Sequence, residues 1–150
     1  MELTDTLTHA RSIKVLLEAE LRRGGEERAA LCSVNVATIL AHADTRELFS
    51  ARARTEVAAF QQKAAAALGL AGAGELTRDA VRAIAVKEPA AQPLHAAMVE
   101  LAALAAALDQ RYRQNRAVAE RALACVRGYL AALAPGPVAY TRRGAATQRP

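Results

Sequence analysis

A long run of regularly spaced apolar residues in the last third of the chain constrains the fold more than any other feature. From residue 94 to residue 133, with one polar exception, small or apolar side chains recur in steps of four and three: Leu94, Met98, Leu101, Ala105, Leu108, Tyr112, Asn115, Ala119, Ala122, Val126, Tyr129 and Leu133. This heptad spacing lines them along one side of an α-helix. It predicts one helix of about 40 residues, about 60 Å long, packed along at least one other long helix.

The first half of the chain predicts two further helical stretches. Apolar residues spaced by three and four from residue 3 to residue 21 predict the first, and Gly24 with Gly25 is expected to break or kink it. A second stretch is expected from about residue 26 to residue 68. Its middle, residues 42–45, is polar enough to predict a bend.

Turn residues mark where the later helices begin and end. Three glycines between Gly69 and Gly74 predict a turn, and Thr77 can cap a short helix that extends to about Val86. Pro89 must end or closely follow this helix, because the residue before a proline avoids helical geometry. Pro93 suits the first turn of the long helix. Residues 134–137, Ala-Pro-Gly-Pro, should end it.

Composition supports an all-α fold. About a quarter of the residues are alanine, only 3% are aromatic, and apolar and polar residues nowhere alternate as in a strand. A chain of 150 residues suits one domain, residues 1–150. We therefore expect an elongated antiparallel bundle of three or four helices, dominated by two long ones, with residues 134–150 as a mobile tail.

No catalytic or metal-binding constellation is visible. A nucleophile needs an adjacent base, and a metal needs three or four converging ligands. His9, His42 and His95 lie on three separate segments, while Cys32 and Cys125 lie far apart without metal-ligand spacing. We expect no enzyme activity, no metal and no cofactor. The cysteines are expected to pack as small apolar residues in or near the helix seam.

Charge and targeting signals favour a soluble cytoplasmic protein. The first residues lack the cationic and apolar regions of a secretory signal, and no uncharged apolar window approaches the roughly 18 residues of a membrane span. The net charge of +5 and the arginine clusters suggest nucleic-acid binding as one alternative. Acidic residues at helical spacing from several arginines instead indicate solvated helix faces, so we expect neither nucleic-acid binding nor membrane insertion.

The last 40 residues contain a motif that resembles the C-terminal signature of FlgN-type flagellar export chaperones. In that signature an Asn in the last long helix precedes a hydrophobic stretch, and a Tyr shortly before a Gly follows a Gly/Pro break. The matching residues are Gln114-Asn115-Arg116, then Leu123, Val126, Gly128, Tyr129, Leu130 and Leu133, then Tyr140 to Gly144. The first half is similar only at residues 16–21 and 68–70, and residues 33–54 depart from the family in length and charge.

The resemblance implies a cytoplasmic chaperone that protects hook-filament junction proteins before secretion and delivers them to the export gate. Their terminal helices would be bound by the last turns of the long helix, at Leu123, Val126, Tyr129, Leu130 and Leu133. Tyr140 would dock on the cytoplasmic part of the gate.

Some alternatives stay open at this stage. Asn115 either fixes helix register as a buried polar residue or contacts the client. The apolar residues of the last turns would instead be core if the bundle were closed. A non-flagellar helical scaffold or adaptor is the alternative function, and either a monomer or a dimer is compatible with the sequence.

Overall fold

The structure is a computed structural model that describes residues 3–133. These residues form four α-helices: α1 (Thr4–Cys32), α2 (Val36–Ala67), α3 (Arg78–Lys87) and α4 (Gln92–Leu133). Single 3₁₀ turns at Ala73–Glu75 and Pro89–Ala91 lie on either side of α3. There is no strand between residues 3 and 133, so the predicted all-α class is confirmed. The predicted long C-terminal helix is confirmed as one continuous helix of 42 residues.

The long helices run up, down and up. Asp5 pairs with Lys63 at 3.3 Å, so the beginning of α1 lies beside the end of α2 and the two helices are antiparallel. Lys14 pairs with Glu100, and Arg28 near the end of α1 donates to Gln114 at 3.1 Å, so α4 runs parallel to α1. Since α1 packs along both helices while α2 and α4 hardly touch, α1 forms the middle of the bundle.

The apolar core lies at the end of the bundle where α1 begins. It joins residues of all four helices, among them Ile13 of α1, Phe60 of α2, Val81 of α3 and Leu94 of α4. Val81 and Leu94 have no exposed surface. Burying such a side chain contributes about 1.5–3 kcal/mol, so this packing helps to hold α3 on α4.

The predicted break at Gly24 and Gly25 is wrong, because α1 continues through both glycines to Cys32. Gly24 lies against α4: a Cβ atom at this position would be 2.9 Å from Cγ of Arg111. A Cβ at Gly25 would meet nothing within 4 Å. The lack of a side chain at Gly24 therefore serves helix-helix contact, while the backbone stays helical.

The connection between the first two helices lies instead at residues 33–35. Val34 has a φ of 54°, which ends the helical path, and the Asn35 side chain caps α2 by accepting a hydrogen bond from the Thr38 amide at 3.2 Å. The prediction of one helical stretch over residues 26–68 is therefore wrong. Residues 42–45, where a bend was expected, lie within α2, which is continuous there. The bundle contains three long helices where two were expected.

The predicted turn signals after α2 are confirmed. Gly69 adopts a φ of 68°, which glycine reaches without strain, and the chain leaves α2 at that point. The Thr77 hydroxyl caps α3 by accepting from the Ala80 amide at 3.1 Å. Pro89 opens the 3₁₀ turn after α3, and Pro93 lies in the first turn of α4.

One helical stretch of the described chain has the length and composition of a membrane span. It runs from Pro89 to Leu133 and contains an 18-residue window with a mean hydropathy of 1.3, of which 17% is buried in the bundle. The window holds at most two charged residues, whereas the sequence expectation concerned windows without any. Length and composition alone are weak evidence, because core helices of soluble proteins meet them too.

Candidate protein-binding surface

The last three turns of α4 project beyond the helix on which α4 packs. Arg28 lies beside Gln114, and α1 ends four residues later at Cys32. From residue 123 onward every described residue of α4 is exposed. We call residues 123–133 the projecting segment; at 1.5 Å per residue it is about 16 Å long.

The five residues predicted to bind a client all lie on the projecting segment, and none of them is in the core. Their exposed fractions are 48% for Leu123, 49% for Val126, 73% for Tyr129, 63% for Leu130 and 78% for Leu133. Their spacing places them on one side of α4, and this side continues the one that packs on α1 farther back. The apolar seam of α4 is thus longer than the helix that covers it.

A second group of exposed apolar side chains lies at the same end of the bundle. Val34, Val36 and Leu40, at the tip of the α1–α2 hairpin, are each 61–62% exposed. The tip lies near the start of the projecting segment, because Arg46 of α2 stacks at 4.7 Å over the ring of Tyr112, and α2 begins ten residues earlier. The sequence prediction missed these residues because it placed them inside a longer helix.

A buried ion pair of α1 lies beside Tyr112, near the end of the part of α4 that α1 covers. Glu20 and Arg23 of α1 are 3% and 9% exposed and form a two-point ion pair. Arg23 also donates to the carbonyl oxygen of His42 in α2 at 2.8 Å, and the Tyr112 hydroxyl of α4 donates to Glu20. One carboxylate and its arginine partner therefore connect all three long helices.

The pKa values of this cluster show how strongly the carboxylate is held. Burial alone would raise the pKa of Glu20, but hydrogen bonds from Arg23 and Tyr112, with the charges of Arg23 and Arg46, outweigh burial and lower it below 4.5. Burial, and then the hydrogen bond to Glu20, raises the pKa of Tyr112 to about 12. Glu20 is thus a carboxylate at neutral pH, with a neutral phenol beside it.

Asn115 lies one turn farther along α4 and is 3% exposed. Its amide donates at 2.8 Å to the carbonyl oxygen of Gly24 and at 2.8 Å to Glu27, whose carboxylate also pairs with Arg46 of α2. These bonds join α4 to α1 at one defined position along the helix. With so little exposed surface, Asn115 offers almost nothing for a client to contact in this structure.

The remaining predicted residues do not form a site. Tyr140 lies outside the described residues, as does the predicted tail. Cys32 and Cys125 are exposed, so the expectation that they pack in the seam is wrong: Cys32 is the last residue of α1, and Cys125 lies on the projecting segment. Within residues 3–133, no three His, Cys, Asp or Glu side chains are grouped to hold a metal ion.

Comparison of the chain with protein-family models, with curated proteins and with solved structures gives no match. The described residues define a class by their fold alone: an all-helical bundle in which one long helix extends past its partner with its apolar side exposed.

Proposed function

We propose that the protein binds an apolar helical segment of another protein along the projecting segment of α4, and that it serves as a cytoplasmic chaperone in flagellar export. One observation carries the binding part of this proposal. The seam that packs on α1 continues for three more turns with no helix of residues 3–133 against it.

Exposing such an apolar seam to water is unfavourable in free energy, and covering it with a partner is favourable. Leu123, Val126, Leu130 and Leu133 are each about half to four-fifths exposed. Fully burying a side chain of this size contributes about 1.5–3 kcal/mol, so covering several of them can offset the cost of ordering a partner helix. A partner helix would continue the packing of α1 in a helix-in-groove manner, with the hairpin tip beside it.

The flagellar part of the proposal comes from the resemblance to FlgN-type chaperones. The clients would then be hook-filament junction proteins, whose terminal helices have apolar faces that aggregate when exposed before assembly. The positions that carry the resemblance in α4 include all five exposed residues of the candidate surface. Tyr140 would contact the export gate and take no part in holding the bundle together.

Leu130→Asp tests the binding surface. The introduced charge would have to be desolvated beneath the partner helix, which costs several kcal/mol, so affinity for the terminal helix of a junction protein should fall about 100-fold or more. Binding can be measured by isothermal titration calorimetry with the purified terminal segment. Because Leu130 is 63% exposed, circular dichroism should show an intact fold.

Ala124→Asp is the matched control. It adds the same charge to the same exposed part of α4, six residues from Leu130. At this position the side chain lies on the opposite side of the helix from the exposed apolar residues of the projecting segment. Its affinity for the client should remain within about threefold of wild type, since no desolvation of the new charge is required. Equal affinities of the two variants for the client would show that the apolar side of the projecting segment is not the binding surface.

Nucleic-acid binding and a scaffold role make different predictions. Several arginines are already paired with carboxylates, including Arg23, Arg46, Arg113 and Arg116. A complex with nucleic acid should weaken steeply as salt rises, whereas apolar burial changes little. Deletion of residues 134–150 should impair delivery by a chaperone and leave a scaffold unaffected.

A further inference from the structure

The first part of α2 is attached to the bundle differently from the last part. Every residue from Val36 to Ala59 is at least partly exposed, whereas Phe60 and Ala64 are buried in the core that joins all four helices. Local opening of a protein is resisted mainly by buried apolar contacts. The first part of α2 should therefore open more easily than the last part.

Polar contacts hold the first part of α2 in place. Arg46 pairs with Glu27 of α1 and stacks at 4.7 Å over the ring of Tyr112 in α4. Arg23 of α1 donates at 2.8 Å to the carbonyl oxygen of His42. The Arg46 side chain is 38% exposed, so water offsets much of the attraction that is lost when this contact opens. These contacts position the first part of α2, but they hold it less firmly than an apolar core would.

The packing between this part of α2 and α1 is also loose. A depression of about 240 Å³ lies between the two helices, with Leu16 of α1 and Leu48 and Phe49 of α2 in its lining. Leu48 is 73% exposed. The connection before α2 contains an unfavourable torsion, because Val34 has a φ of 54°, which a β-branched residue rarely adopts. Opening this part of α2 allows that torsion to relax.

We propose that residues 36–52, which we call the strap, unfold from α1 and α4 as one unit while the rest of the bundle stays folded, and that the charge of Arg46 controls this release. The strap ends before Glu56, which pairs with His9 of α1 at 2.9 Å. A helix of this length has little stability alone, so the strap loses its helical hydrogen bonds once it is released. The proposal does not depend on the proposed function, because it rests on contacts within the bundle.

Release of the strap uncovers one face of the α1–α4 pair. Glu27, which is 7% exposed while the strap is in place, and the ring of Tyr112 become accessible there. α1 stays on α4, because Asn115 donates at 2.8 Å to the carbonyl oxygen of Gly24. The strap is thus a cover for the surface next to the projecting segment, and the bundle has a closed and an open arrangement.

Hydrogen exchange of the full chain, followed by mass spectrometry at pH 7, tests whether the strap is a unit. Amides of residues 40–52 should share one protection factor, at least about tenfold below that of residues 58–66. Both ranges lie within the continuous helix α2, so the difference measures opening. Fraying from the start of α2 would instead give protection that rises steadily from residue 40 to residue 66, and this result would overturn the proposal.

Arg46→Met tests the control by charge. The substitution leaves the carboxylate of Glu27 without its arginine, while methionine and arginine have similar helix propensities. Exchange of residues 40–52 should become at least about tenfold faster, and exchange of residues 58–66 should stay within about twofold of wild type.

Two further variants complete the test. Arg54→Met is the matched control, because Arg54 is an exposed arginine of the same helix that donates to the carbonyl oxygen of Ser50; it should change exchange by less than about twofold in both ranges. Glu27→Met combined with Arg46→Met removes both charges, so exchange of residues 40–52 should return to within about threefold of wild type or become slower.

The remaining outcomes contradict the proposal. Equal acceleration of both ranges by Arg46→Met would show that α2 opens only with the whole bundle. Loss of the fold of this variant in circular dichroism would show the same, since release of the strap should leave the core intact. Exchange in the double variant as fast as in Arg46→Met alone would show that charge does not control the release.

Discussion

Tyr112→Phe is the sharpest single test of how the three long helices are held together. The substitution removes one hydroxyl and keeps the ring, so the stacking of Arg46 on that ring is preserved. What is lost is the hydrogen bond from α4 to the buried carboxylate of Glu20. A hydrogen bond to a charged group contributes about 1.5–3 kcal/mol, and the ion pair with Arg23 still compensates Glu20. We therefore expect a loss of about 2 kcal/mol in the free energy of unfolding.

The assay is urea unfolding followed by circular dichroism at pH 7. The midpoint should fall while the slope stays unchanged, because the surface exposed on unfolding is the same. In a chain of this size the melting temperature should fall by about 4–8 °C. Tyr129→Phe is the matched control: Tyr129 lies on the same helix and is 73% exposed, so its substitution should change stability by no more than about 0.5 kcal/mol.

The same hydroxyl should produce a loss of stability at alkaline pH. The pKa of Tyr112 is raised from 10.0 to about 12 in the folded protein, by burial and then by the hydrogen bond to Glu20. A raised pKa means that the neutral phenol stabilises the fold fully below pH 10, and that this contribution is lost as pH rises from 10 to about 12. Tyr112→Phe should remove this component and Tyr129→Phe should keep it. A loss below 0.5 kcal/mol at pH 7 for Tyr112→Phe, or an alkaline component unchanged by it, would refute the reasoning.

Two further predictions concern the glycine pair of α1 and Tyr140. Gly25→Ala should stabilise the protein by about 0.5–1 kcal/mol in urea unfolding, because alanine favours the helix and its Cβ meets nothing within 4 Å. Gly24→Ala should not show this gain, because its Cβ would lie 2.9 Å from Cγ of Arg111. An equal gain at both positions would show that α1 and α4 lie farther apart. Tyr140→Ala should leave thermal stability and client affinity unchanged while weakening the complex with the export gate in pull-down assays; a melting temperature lowered by several degrees would instead mean that Tyr140 packs on the bundle.

Local sequence patterns were sufficient for α3, α4 and the turns beside them. The alternation of four and three residues is itself the geometry of one helix side, so α4 could be predicted at nearly its full length. Thr77, Pro89 and Pro93 act on the backbone within one turn of their own positions, through a side-chain cap or a fixed φ angle. Such signals need no information about the rest of the chain.

The connection between α1 and α2 was predicted in the wrong place, because the role of the glycine pair depends on a contact with α4, which is distant in the sequence. Gly24 and Gly25 are adjacent and identical in sequence, yet only Gly24 faces Arg111 of α4. Conversely, Ser33-Val34-Asn35 contains neither glycine nor proline, and its turn rests on a positive φ at Val34 and the Asn35 cap. A glycine pair alone does not show whether it ends a helix or lets another helix approach.

The sequence by itself determined that α4 has one apolar side from Leu94 to Leu133, because side-chain order and helical periodicity define a side without reference to any partner. Only the tertiary structure decided which part of that side is core and which part is surface. α1 ends at Cys32, so Leu94 and Leu108 are buried while Leu130 and Leu133 are exposed. Burial depends on the length and placement of the packed helix, and neither is encoded within α4.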